Sequence, residues 1–209
     1  NIANVASFTV SGTCSENGQT VSITAGAVTA TPTCAAGAFT TTLDLTVLAQ
    51  GAVSITADHT DAAGNAAVQS SRAFTKDTVA PTAPSGLALV TPATSPGNVS
   101  TPVIQVSGVV SGDGVKLYSD SSCSTQKASG TAAATTINLT SSALTEATYA
   151  FYAQSTDPAG NPSTCSAATV AYVYDVTLPT VAITSPAAAS YINIANVASF
   201  TVSGTCSEN

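Results

Sequence analysis

Methionine and tryptophan are absent from the 209 residues, histidine occurs once, and Asp, Glu, Lys and Arg together make up only 7% of the chain. Each shortage excludes something. Four basic residues and a formal net charge of −7 cannot build the basic surface that neutralising nucleic-acid phosphates requires. A lone histidine, His59, rules out any constellation that needs two. No apolar run approaches the ~20 residues of a membrane-crossing helix, so no span is expected in this segment. The chain starts at Asn1 without Met or a signal-peptide pattern, and reads as an internal or mature stretch of polypeptide. Ala, Thr and Ser are plentiful, with 14 Gly and 10 Pro, and 44% of the residues are apolar. Such a composition can bury a core, and it suits short strands and turns rather than long helices.

Self-similarity dominates the sequence. Residues 1–17 and 193–209 are identical, NIANVASFTVSGTCSEN, an offset of 193 − 1 = 192. A weaker repeat lies at half that distance. Val10-Ser11-Gly12 matches Val106-Ser107-Gly108, and Thr60-Asp61-Ala62-Ala63-Gly64-Asn65 matches Thr156-Asp157-Pro158-Ala159-Gly160-Asn161, both at 96. Asp77-Thr78-Val79-Ala80-Pro81-Thr82 resembles Asp175-Val176-Thr177-Leu178-Pro179-Thr180. The period is therefore two diverged units, A and B.

Both units show period-two alternation bounded by turn residues. In unit A, Ala6, Phe8 and Val10 share a face, then Val21 and Ile23, then Phe39, Leu43 and Leu45, then Val53, Ile55 and Ala57. In unit B the series is Ile104 and Val106, Val115 and Leu117, Ile137 and Leu139, then Tyr149, Phe151 and Ala153. A last strand follows each Ala-Gly-Asn, over 68–75 and 168–174. Six or seven short strands in ~96 residues predict a β-sandwich. Asp-x-Ala-Gly-Asn fits the hairpin between the last two strands, with Gly or Asn at positive φ. The Pro-containing segments after Asp77 and Asp175 read as short, stiff linkers.

Residues 1–80 are thus unit A without its opening strand, 81–178 are unit B, and 179–209 begin the next unit A, with a first strand near Val181–Pro186. Two arrangements follow. The chain is a window on a longer array, or residues 179–209 of one chain complete the open first unit of the next, a strand donation.

Five cysteines are present. Cys206 repeats Cys14, so it seeks a partner in the next repeat or chain. The other four divide two per unit, and disulfides Cys14–Cys34 and Cys123–Cys165 are the natural reading; buried free thiols are the alternative. The spacings match no zinc pattern. Disulfides place the chain in an oxidising compartment and contribute about 3–4 kcal/mol each by loop closure.

The pattern Val-Ser-Gly, alternating strand, Thr-Asp-x-Ala-Gly-Asn, strand, Asp-x-x-x-Pro-Thr resembles the bacterial immunoglobulin-like repeats of giant surface adhesins and biofilm proteins. The resemblance covers the whole chain. It implies an all-β fold of tandem immunoglobulin-like β-sandwiches joined end to end by short Pro-containing linkers. It also implies an extracellular, cell-surface or secreted setting. The function it implies is structural: a fibre, stalk or filament segment whose partners are neighbouring repeats, or identical chains head to tail, with lateral bundling. An adhesin module binding a glycan or receptor through its loops is the alternative. This chain departs from antibody domains in lacking the core Trp, and its Cys pairs do not sit in the two facing core strands. Leu144-Thr-Glu-Ala-Thr-Tyr149 looks like a tyrosine corner, which unit A, with Val53, lacks.

Acidic groups at turns and junctions are the main candidate chemistry. Asp58, Asp61, Asp77, Asp157 and Asp175 would supply oxygen ligands to calcium, the one cofactor considered, and related repeats stiffen with junction calcium. The competing reading is that they serve turn geometry by bonding their own backbone. Catalysis is not expected: His59 has no Ser in an activating turn, no G-x-S-x-G occurs, and Glu16 with Asp44 makes a weak carboxylate pair. Lys76 and Lys116 are candidates for the Lys–Asn amide cross-link of some stalk domains, and Thr40-Thr41-Thr42 for a flat ligand face. Asn98-Val-Ser and Asn138-Leu-Thr fit the glycosylation pattern.

Overall fold

A computed structural model describes residues 1–195 and 197–207. A single 3₁₀ turn, Val5–Ser7, leads into β1 (Phe8–Thr13), β2 (Val21–Ala25), β3 (Val28–Ala30), β4 (Ala38–Leu43), β5 (Gly51–His59) and β6 (Ser70–Lys76). β1 pairs with β4, and a second sheet runs β3-β2-β5-β6. Then come β7 (Gly86–Thr91), β8 (Val103–Ser107), β9 (Gly114–Tyr118), β10 (Gln126–Thr131), β11 (Thr136–Thr140), β12 (Ala147–Thr156) and β13 (Val170–Tyr174). These form the sheets β11-β8-β7 and β10-β9-β12-β13. Finally β14 (Val181–Ser185) pairs with β15 (Ser203–Cys206). All these strand pairs are antiparallel. Among the described residues no helix is long and apolar enough to cross a membrane.

The alternation seen in the sequence is what sorts the side chains. In β4, Phe39 and Leu43 are buried while Ala38, Thr40 and Thr42 face solvent. Along β12, Phe151, Ala153 and Ser155 are buried and their neighbours are half-buried. Facing inner surfaces close two separate cores. The first holds Val21, Ile23, Leu43, Leu45 and Ile55. The second holds Ile104, Val106, Leu117, Phe151 and Tyr172. No residue belongs to both, so the chain folds as two all-β sandwiches, each burying its own apolar faces. The second has three strands over four, the immunoglobulin-like arrangement.

Some strands carry no strong sequence signal. β3 and β10 are sheet edges of Val-Thr-Ala and Gln-Lys-Ala-Ser-Gly-Thr. β7, also an edge, sends the half-buried Leu87 and Leu89 toward the second core. Other assignments shift. Ala6 lies in the 3₁₀ turn, exposed, rather than on the Phe8 face. β6 begins at Ser70, and Val68 stands 97% exposed in the loop before it. Leu45 is buried beyond the end of β4.

Two tyrosines brace the second sandwich. The Tyr149 hydroxyl donates to the Thr145 carbonyl at 3.0 Å and accepts from the Thr145 amide at 3.3 Å, closing the tyrosine corner. Tyr172, fully buried, donates to the Val99 carbonyl at 2.8 Å and accepts from the Val99 amide at 3.1 Å. The second brace ties β13 to the β7–β8 connection, a contact between residues 73 apart that no local pattern announces. Tyr172→Phe keeps the ring and strands both main-chain groups of Val99. It should lower the stability of the second sandwich by about 1–3 kcal/mol in denaturant titration. An unchanged midpoint would contradict the brace.

Candidate functional site at the junction of the two sandwiches

The two Thr-Asp-x-Ala-Gly-Asn loops have one internal design. Gly64 and Gly160 sit at φ of +92° and +89°, where a Cβ would be strained. Asp61 accepts from the main-chain and side-chain amides of Asn65 at 2.7 and 2.8 Å. Asp157 accepts from Asn161 in the same way at 2.8 Å each. These bonds favour the ionised forms. The side-chain amide of the Asn, then its backbone N–H, hold both carboxyls below the usual aspartate value.

The loops differ in what they meet. Asn65 is exposed. Asn161 is fully buried, against the other sandwich. Its Oδ1 accepts from the Ile2 amide at 2.8 Å, and its Nδ2 donates to the Asp77 carbonyl at 3.1 Å. Asn1 adds a bond from its Nδ2 to the Ala159 carbonyl at 2.9 Å. One side chain therefore holds its own loop, the start of the first sandwich and the linker at once.

The linkers are pinned as well. Gln50 donates to the Thr78 hydroxyl at 2.6 Å and accepts from the Thr78 amide at 3.0 Å. Asp77 caps the same turn by accepting from the Val79 amide at 3.0 Å. At the far end of the second sandwich, Glu146, offset 96 from Gln50, accepts from the Thr177 hydroxyl. Asp175 accepts from the Thr177 amide at 2.9 Å. Gln50 and Glu146 are junction residues that sequence reasoning missed; their equivalence under the 96-residue offset was the available signal.

The five carboxylates considered for calcium are thus engaged in local bonds. Asp58 accepts from Gln69 Nε2 at 2.9 and 3.1 Å; the other four serve the turns described above. Asp77 and Asp157 are brought together, since Asn161 Nδ2 donates to both. Among the described residues no three of His, Cys, Asp and Glu group as metal ligands.

Other candidates fall apart from this junction. His59 Nδ1 lies 3.1 Å from the Thr20 carbonyl at the end of β5. Glu16 accepts from the Ala62 amide and Asp44 from Thr46, separate local roles. Lys76, buried, gives its ammonium to the Thr46 and Leu48 carbonyls. Lys116 lies exposed on β9, opposite Gln154. Thr41 turns toward the core while Thr40 and Thr42 face out, so the Thr run is split between two faces of β4.

Disulfides join Cys14 to Cys34 and Cys123 to Cys165, and Cys206 is an exposed thiol. Cys123 sits in a turn organised by Asp120, which accepts from Ser122, Ser124 and Thr125. The Ser122 hydroxyl, then the Thr125 and Ser124 amides, hold that carboxyl far below the usual range.

No protein-family model and no curated protein matches the chain. Solved structures of similar outline include a BSP domain of a biofilm-associated protein, at 18% identity and TM-score 0.32, over 83% of this chain and 28% of that one. Fibronectin(III)-like modules of Clostridium thermocellum CbhA follow, at 14% identity and TM-score 0.45, over 80% and 87%. A 1.5-MDa bacterial ice-binding adhesin is similar at 18% identity and TM-score 0.35, over 88% and 65%. The chain spans under a third of the first of these and about two thirds of the last.

Two outcomes follow from the loops. Asn161→Ala breaks loop and junction together, whereas Asn65→Ala breaks only the loop. The first should cost about 1–3 kcal/mol more than the second in thermal unfolding, and equal costs would contradict the clasp. Asp61, Asp120 and Asp157 all titrate below their unfolded value of about 3.9. Their stabilisation is present above that value and lost as pH falls through the folded one. The melting temperature should hold from neutrality to about pH 5 and drop below about pH 4, less steeply in Asp120→Asn. A flat profile to about pH 2 would contradict this.

Proposed function

We propose that this chain is a repeating segment of a bacterial extracellular fibre or stalk, with units over 1–80 and 81–178 and the next beginning at 179. The clasp of Asn161 on Ile2 and Asp77 carries this reading. A loop at one pole of a sandwich is buried on the opposite pole of its neighbour, so successive units stack end to end. The two disulfides suit an oxidising space outside the cytosol. Sparse charge and a Ser- and Thr-rich surface suit lateral packing of such fibres. The chemistry of the junction is mechanical: hydrogen bonds set direction, and disulfides limit how much chain a pulled unit releases.

Force spectroscopy on the chain held by its ends tests this. Each sandwich should unfold as one cooperative event. With residue separations of 20 and 42 inside the disulfides and ~3.5 Å per extended residue, reduction should lengthen the released chain by about 70 and 150 Å. Gradual extension without discrete events, or lengths indifferent to reductant, would sink the stalk reading.

A further inference from the structure

The first sandwich has an open side that the second has closed. Among the described residues β1 pairs only with β4, whereas β8, its counterpart at offset 96, lies between β11 and β7. The consequence shows in matched side chains. Ile104 and Val106 are fully buried under β7, but the equivalent Phe8 and Val10 are half-exposed. Beside them lies a groove of about 620 Å³, lined by Val10, Cys14, Ile55, Ala57, Val68 and Ser70 among others. In the second sandwich β7 fills the corresponding place, against β12 and β13.

The strand that fits is also on the page. β15 repeats the sequence Ser11–Cys14, and β14 pairs with it: Val181 opposite Cys206, Ile183 opposite Gly204, Ser185 opposite Ser203. On that short partner β14 has no opposing sheet. Val181 is 84% exposed and Ile183 72%. Moved to β1, the same register sets Val181 opposite Cys14 and Ile183 opposite Gly12. The register of β7 on β8, with Leu87 opposite Val106, would set Val181 opposite Val10. The two differ by four residues, an even number, so both turn Val181 and Ile183 into the core.

We propose that residues 179–185 of a second copy of this chain dock on the free edge of β1 and complete the first sandwich. Asn65 then takes the Asp175 carbonyl of that copy, as Asn161 takes Asp77 within one chain. The exposed Asn65 and the open groove belong to one head-to-tail interface, continuous in kind with the junction already described. It rests on the stacking read under the proposed function, and adds the occupant, the strand and the acceptor residue. Because donor and acceptor surfaces differ, association does not close at two copies.

Sedimentation velocity over a hundredfold range of concentration tests it, using the Cys206→Ser chain so that the exposed thiol cannot link copies. The average mass should climb with concentration past the dimer. Val181→Asp with Ile183→Asp should leave monomers, while Val110→Asp, an exposed apolar site elsewhere, should associate as before. Asn65→Ala should raise the concentration of half-association about tenfold. Monomers throughout, a plateau at dimer from symmetric pairing of two β1 edges, association unmoved by the double variant, or an unmoved Asn65→Ala would each overturn the proposal. Failure here leaves the two cooperative unfolding events of the force measurement intact, so the two readings fail separately.

Discussion

Asn161 uses both hydrogens of its side-chain amide and an oxygen lone pair, and the relation between the two sandwiches depends on that set. A buried amide of this kind is costly unless its groups are paired, so the loop, the linker carbonyl and the Ile2 amide must arrive together. Gly160 at positive φ and the ionised Asp157 fix the loop first. The clasp then needs little further ordering of the chain. A flexible linker would make the opposite choice, and here Gln50 removes that freedom by holding Thr78.

The scarcity of charge becomes intelligible in this light. Several of the few carboxylates accept hydrogen bonds from nearby backbone amides: Asp44, Asp61, Asp77, Asp120, Asp157 and Asp175 all do so within a few residues. Charge in this chain is turn chemistry. The same economy leaves Ser, Thr and Ala on the outward faces, and stability comes from two small apolar cores reinforced by one disulfide each.

Much of this was legible because alternation and repetition are local or exact. The strands carrying Phe8 and Val10, Val21 and Ile23, or Phe151 and Ala153 follow from period two, and Gly64 and Gly160 follow from the turn they make. Short edge strands such as β3 and β10 were not legible, since their outward-facing sides impose no pattern. Val68 misled because an apolar residue in a loop looks like the start of a strand. The Asp residues were visible as a set, but their roles were not: whether a carboxylate serves a turn or an ion depends on distances to amides. The clasp of Asn161 was invisible because its partners lie 84 and 159 residues away. The motif appears twice and only one copy is buried, a difference that lies wholly in the neighbours.

The central claim is that the junction holds the two sandwiches in one fixed relation. Residual dipolar couplings of backbone amides in the intact chain measure this directly. The account predicts that couplings from residues 8–76 and 86–174 fit a single alignment tensor. Two tensors of clearly different magnitude would mean that the units reorient independently, and would contradict it.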